Sequence, residues 1–387
     1  MSARRASRAA DAATAALFTA DEGATERPLS GPAVVAGIDE AGLGPLLGPL
    51  VLGCVALRVP DASIDPWSAL ADVVSSEITD DEERFVVADS KVVFTRNPRG
   101  ARRLERTVLG FAAARDGARA LPATARELLR ALEREAGLLE RDSTGAESPE
   151  RASHEASTLE REFFAAELDH ALPRQAERGA LALDTGRLVD ALRRERMEVV
   201  ALRTRALAPR ELNASFAETD NKSRTHWLAT RAELAHLWAH HGARTDAHGR
   251  PAPALDVVVD RQGGRMHYRA ALEEAFPRAR VVLVTESAPL SRYVVEEPAT
   301  ARSPARAMRL VFREKAERAS FAVALASCAA KLVRELAMDA FNAHFARLEP
   351  KLVPTAGYVE DGRRWLAEAR DAIARSGIDR ADLVRDR

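Results

Sequence analysis

Cysteine is almost absent from this chain of 387 residues. Cys54 and Cys328 are the only two; each lies in apolar surroundings and neither has metal-ligand spacing. They read as reduced core residues and point to a cytoplasmic protein. Long apolar runs are missing too: none approaches the ~20 residues that cross a bilayer, so no membrane association is expected. There is no excess of one charge. Lys and Arg number 57 against 58 Asp and Glu, a formal net charge of −1, so any nucleic-acid contact has to be a local patch. Lysine is scarce, with Lys91, Lys222, Lys315, Lys331 and Lys351 standing among a large majority of arginines. Such a skew reflects a GC-rich genome, so arginine abundance says little about function and the few lysines say more. Two common ligand signatures are also wanting. Gly42-Leu43-Gly44 with Gly48 is not followed by Gly-Lys-Ser/Thr, and its prolines and glycine spacing disfavour a dinucleotide fingerprint. His236, His240 and His241 lack the glutamate of a metalloprotease helix and read as an exposed cluster that binds no metal.

What is present is a globular composition, 46% hydrophobic and 30% charged, enough for one large or two moderate domains. Residues 1–32, rich in Ala, Arg, Ser and Thr, read as a disordered tail; an organelle transit peptide shares that composition. Strand, glycine turn and second strand follow between Val34 and Leu57. From about 100 to 195 the texture is Ala-, Arg-, Glu- and Leu-rich with helical spacing, broken by a polar loop at Arg141–Ser157. Strand character returns at Met197–Leu202, and a helix is predicted over Ser223–His241. A gap at Gly242–Ala254 leads to a strand over 255–260. A helix near 268–276, a strand at Val281–Thr285 and helices over about 317–346 and 361–374 complete the pattern. Strands alternating with helices predict an α/β domain.

The most informative stretch runs from Gly37-Ile38-Asp39-Glu40-Ala41-Gly42-Leu43-Gly44 to Pro45-Leu46-Leu47-Gly48-Pro49. Two adjacent carboxylates end an apolar run, where burial of charge calls for compensation and a divalent cation is the usual one. Taken alone, the pair also reads as a strand exit with solvated acids. Further segments follow in order: Ala88-Asp89-Ser90-Lys91; Asp256-Val257-Val258-Val259-Asp260; Lys315-Ala316-Glu317; the helical Ala324–Glu335; and Ala356-Gly357-Tyr358-Val359-Glu360-Asp361 with Trp365-Leu366.

These six segments, in this order, resemble the motifs of the type 2 ribonucleases H (the ribonuclease HII family) over roughly 33–94 and 195–370. The resemblance implies a ribonuclease H-like mixed sheet flanked by helices, formed by 33–99 and 196–387, with 100–195 as a largely helical insertion. It also implies an enzyme that uses two Mg²⁺ or Mn²⁺ ions to hydrolyse the RNA strand of RNA–DNA hybrids, or to cut ribonucleotide-containing DNA. The products would carry 5′-phosphate and 3′-hydroxyl ends. By the same resemblance Asp39, Glu40, Asp260 and Glu317 would be catalytic metal ligands, with Glu314 competing for the fourth place. Gly42, Leu43, Gly44, Ser90, Lys91, Lys331 and Tyr358 would meet substrate, Lys91 as a point charge on phosphate and Tyr358 against a sugar. Two departures matter. Leu43 stands where the family has arginine, and Glu317 where it has aspartate. A same-fold nuclease with another nucleic-acid substrate and a non-catalytic nucleic-acid-binding protein are the alternatives. The Arg261–Tyr268 segment, arginine- and glycine-rich, reads equally as a phosphate-contacting turn or a solvated loop.

Overall fold

The computed structural model describes residues 31–79, 83–117, 121–133, 157–245 and 254–386. Residues 1–30 of the expected tail at 1–32, nearly all of the polar loop at 141–157 and most of the gap at 242–254 lie outside these. Seven strands form one mixed sheet: β1 (Ala33–Ala41), β2 (Leu50–Val59), β3 (Glu198–Leu207), β4 (Leu255–Asp260), β5 (Arg280–Glu286), β6 (Leu290–Glu297) and β7 (Arg306–Arg313). Their order across the sheet is β3-β2-β1-β4-β7-β6-β5. β1 pairs antiparallel with β2 and parallel with β4, and β4 pairs parallel with β7. Helices cover both faces, which is the predicted mixed α/β architecture.

Side chains alternate along each strand, so each strand feeds two cores. Val34, Ala36 and Ile38 of β1, with Cys54 and Ala56 of β2, face helix α5 (Lys222–His241) and α6 (Arg269–Ala275), where Trp227, Leu234, Leu237 and Leu272 complete one core. Val51, Val55 and Leu57 face the other way, toward α7 (Phe321–Leu348). Helices α1 (Pro98–Arg115), α2 (Ala125–Glu133) and α3 (Arg178–Arg194) contribute Val108, Phe111, Leu128 and Leu188 to that same core. The remaining long helix, α4 (Pro209–Thr219), follows β3.

Two glycines let α7 lie directly on the sheet. A Cβ at Gly37 would come within 2.1 Å of the Val323 amide nitrogen, and one at Gly53 within 2.2 Å of the Ala326 carbonyl oxygen. Backbone against backbone leaves nothing to move aside, so only glycine fits at either position. The first turns of α7 are thereby pinned beside the end of β1, where Asp39 lies.

The structure departs from the sequence expectation in several elements. β6 and β7 were not anticipated. α7 begins at Phe321, not near 317, and leaves Glu317 in a short 3₁₀ turn over Ala316–Arg318. The last predicted helix is two, α8 (Val359–Glu368) and α9 (Arg370–Ser376). His236 is buried, not exposed: α5 turns it into the interior beneath the sheet, and that burial pushes its imidazole down to about 3.

Candidate active site

Asp39 and Glu40 occupy the last turn of pairing in β1 and, as neighbours on a strand, leave by opposite faces. Asp39 goes to the α7 side, where the Ser327 hydroxyl hydrogen-bonds its carboxylate. Glu40 goes to the α5 side, where its Oε2 lies 3.3 Å from His226 Nε2. β4 runs parallel to β1 in the register Gly37–Val258 and Ile38–Val259, which brings Asp260 alongside Asp39 at the same end of the sheet.

Asp260 Oδ1 accepts a hydrogen bond from the Ala316 amide at 3.0 Å. That amide is presented by a tight turn after β7 in which Lys315 takes a left-handed conformation, φ 55°, a strain of the kind found at functional sites. The same turn delivers Glu317. Its rival Glu314 is engaged elsewhere, 3.2 Å from Arg261, with its side chain 59% exposed. The Asp89-Ser90-Lys91 segment docks on α7 through Ser90 and Ser327, whose hydroxyls are 2.9 Å apart. Asp89 caps the following turn by accepting from the Lys91 amide at 2.9 Å.

The electrostatics tie these groups into one neighbourhood. Burial first, then repulsion from Glu40 and Asp260, holds the Asp39 carboxyl well above its usual range. Asp260 is pushed up to about 6 by burial, with Glu317 and Glu40 adding to the effect. Glu317 is raised by burial and by Asp89, while Lys91 and Arg318 pull the other way. Among the described residues no three acids, histidines or cysteines close into a set that grips an ion. The acids therefore share a field and a strand end without a finished coordination shell. Their donors are all hard oxygens, the kind that Mg²⁺ and Mn²⁺ take.

The glycine turn lies beside this centre. Gly42 and Gly48 have φ of 90° and 79°, which only glycine adopts without strain; Gly44 carries no such demand. Leu43 packs against the apolar cluster of Leu50, Leu52, Leu207, Leu212 and Phe216. The turn's carbonyls are held by a residue that no motif signalled: Arg385, from the C-terminal segment, donates to the oxygens of Gly42 and Gly48, the latter at 2.8 Å from Nε. Burial and the nearby Arg334 lower its guanidinium. Tyr358 stands next to the turn, since the Leu46 amide donates to Gly357 O at 2.7 Å. Its ring is 49% exposed, and the buried Arg334 guanidinium sits 5.7 Å from its centroid.

Lys331 donates to Glu335 at 2.6 Å, with its ammonium over the Phe94 ring. The Arg261–Tyr268 turn is anchored, not solvated, at its start: Arg261 and Gln262 are buried. Arg265 lies over the rings of Trp227 and Tyr268.

No protein-family model matches the chain, and no curated protein matches it. Solved structures show distant likenesses. One is a chain of the PCNA–RNase HII complex from Archaeoglobus fulgidus, with 16% identity over 92% of this chain and 94% of that one and a TM-score of 0.34. Another is Bst-RNase HIII in complex with Mn²⁺, with 13% identity over 95% and 72% and a TM-score of 0.35. A third is ribonuclease H2 from Pyrococcus horikoshii OT3, with 13% identity over 90% and 92% and a TM-score of 0.35. Likenesses this distant assign neither a family nor an activity. No helix among the described residues is long and apolar enough to cross a membrane.

Proposed function

We propose that this chain is a divalent-metal-dependent endonuclease acting on the RNA strand of RNA–DNA duplexes or at ribonucleotides embedded in DNA. It leaves 5′-phosphate and 3′-hydroxyl ends. The observation that carries this reading is the gathering of Asp39, Glu40, Asp260 and Glu317, from three distant segments, at one sheet end where their charges repel. Hydrogen bonds from Ser327 and from the Ala316 amide offset part of this on Asp39 and Asp260, and Lys91 and Arg318 part of it on Glu317; the remaining charge calls for a cation from outside the chain. Two Mg²⁺ or Mn²⁺ ions, when bound, supply an activated water and a charge clamp on the leaving oxygen. The protein's own residues do the positioning. Asp39 and Asp260 present carboxylates from adjacent parallel strands, and the strained turn at Lys315 brings Glu317 to them. Lys91, exposed at the rim, offers a point charge to a phosphate. Tyr358 offers a ring face to a sugar or base. The helices of 100–195 are an addition to this catalytic unit.

One observation favours a second reading, a same-fold nuclease with another nucleic-acid substrate. Leu43 is committed to an apolar cluster and cannot make a charge-assisted bond to a phosphate.

Cleavage of three labelled duplexes tests both, in Mg²⁺ and in Mn²⁺: one with a single embedded ribonucleotide, one RNA–DNA hybrid and one all-DNA. The wild type is expected to cut the ribonucleotide-containing substrates. Glu317→Gln should slow this on the order of a hundredfold or more. Glu314→Gln, which keeps an oxygen for the Arg261 guanidinium and acts on a largely exposed side chain, should leave the rate within about twofold. Cutting of all-DNA alone, or no cutting of any duplex with metal still bound, would favour the second reading; no cutting and no metal binding would leave a non-catalytic binding protein.

A further inference from the structure

Helix α5 touches both acid-bearing strand ends from the face opposite α7. His226, 3% exposed, places Nε2 at 3.3 Å from Glu40 Oε2. One turn later Thr230, 1% exposed, donates its hydroxyl to the His226 carbonyl at 3.1 Å. The same hydroxyl oxygen accepts from Gln262 Nε2 at 2.6 Å. Gln262 lies two residues beyond Asp260, and its own amide reaches the Tyr268 hydroxyl at 3.3 Å. Positions i and i+4 share one helix face. A single face of α5 thus holds the end of β1 through Glu40 and the exit of β4 through Gln262. Polar groups this deeply buried carry a heavy penalty if left unpaired, so the links also fix where the strand ends sit.

We propose that His226 is a positioning residue for Glu40. By holding Oε2 on the α5 side, it turns the other carboxylate oxygen toward Asp39 and Asp260. A histidine that orients a ligating carboxylate from behind tunes a metal site without touching the ion. Asp39 has a counterpart in Ser327 on the opposite face, so each acid of the pair is steered by its own helix. This inference rests on the metal-dependent reading above, and its test separates the two.

Mn²⁺ is titrated calorimetrically into the full-length wild type, His226→Ala and His226→Gln, with circular dichroism on each. Loss of the imidazole in His226→Ala is expected to weaken Mn²⁺ binding about 10- to 100-fold with an unchanged spectrum. His226→Gln, whose amide nitrogen reaches a similar place, should recover to within a few-fold. In parallel, melting of metal-free wild type, Glu40→Ala, His226→Ala and the double variant should give non-additive shifts in Tm, since groups in contact couple. Unchanged Mn²⁺ affinity in His226→Ala, or additive shifts, would overturn the positioning role. A wild type that takes up no Mn²⁺ while the shifts remain non-additive would sink the metal reading and leave the hold of His226 on Glu40 standing.

Discussion

Replacing Asp260 by asparagine is expected to abolish cleavage and, in the metal-free protein, to raise Tm at neutral pH. The two effects have one cause. Burial, with Glu317 and Glu40 adding to it, lifts the Asp260 carboxyl from its ordinary 3.8 to about 6. An acid whose folded value lies above its unfolded one costs stability wherever the native state carries it charged. That cost is fully present above about 6, shrinks as pH falls, and is gone below about 3.8, where both states are protonated. Asparagine removes the charge and keeps the oxygen that accepts from the Ala316 amide. The gain should be about 1–3 kcal/mol at pH 7.5 and fade toward zero by about pH 4. Cleavage falls because the remaining acids lose a partner from the adjacent strand. Melting curves in chelator at both pH values, beside a cleavage assay, check this. A variant that cuts normally, or melts lower at pH 7.5, would contradict it.

Asp256→Ala should do the reverse, costing stability far from the chemistry. Asp256 and Arg309 face each other across the parallel pair β4–β7, their side chains each 3% exposed, joined by two charge-assisted hydrogen bonds, one of 2.6 Å. Removing the carboxylate takes away two charge-assisted bonds from a guanidinium buried between two central strands. Breaking a buried pair from one side costs about 3–5 kcal/mol, whereas replacing both partners by apolar groups of similar volume costs far less. Denaturant unfolding of Asp256→Ala, Arg309→Leu and an Asp256→Leu/Arg309→Leu double variant should place the double variant above Asp256→Ala. A single-variant loss below about 1 kcal/mol would mean that water reaches the pair.

The same pair explains part of what the sequence conceals. β7 reads Arg306-Ala-Met-Arg309-Leu-Val-Phe-Arg313, and its arginines hide a strand whose Met308, Leu310 and Phe312 are fully buried. In β6 the run Ser291-Arg292-Tyr293 breaks the alternation, although all three are buried and the Tyr293 hydroxyl receives the Tyr268 amide. Polar residues satisfied within a core leave no periodic trace. β1, β2 and β4 were legible from their apolar runs, which in β1 and β4 end on acids, and the order of motifs anticipated a mixed sheet flanked by helices. Glu317 could be named but not chosen over Glu314, since only the turn at Lys315 separates them. His226 and Arg385 were out of reach. Their partners, Glu40 and the carbonyls of Gly42 and Gly48, are distant in sequence, and neither residue sits in a recognisable pattern. Lys331 lay in a matched helix, and its ammonium meets Glu335 and the Phe94 ring.

The central claim is that the acids at the ends of β1 and β4 form an ion-binding centre. The most direct measurement is an anomalous difference map, at the manganese edge, of crystals grown with Mn²⁺. Two peaks about 4 Å apart, bounded by Asp39, Glu40, Asp260 and Glu317, are expected, and none in crystals of Asp260→Asn. A map with no peak among these four carboxylates, from crystals in which Mn²⁺ is bound elsewhere on the protein, would contradict it.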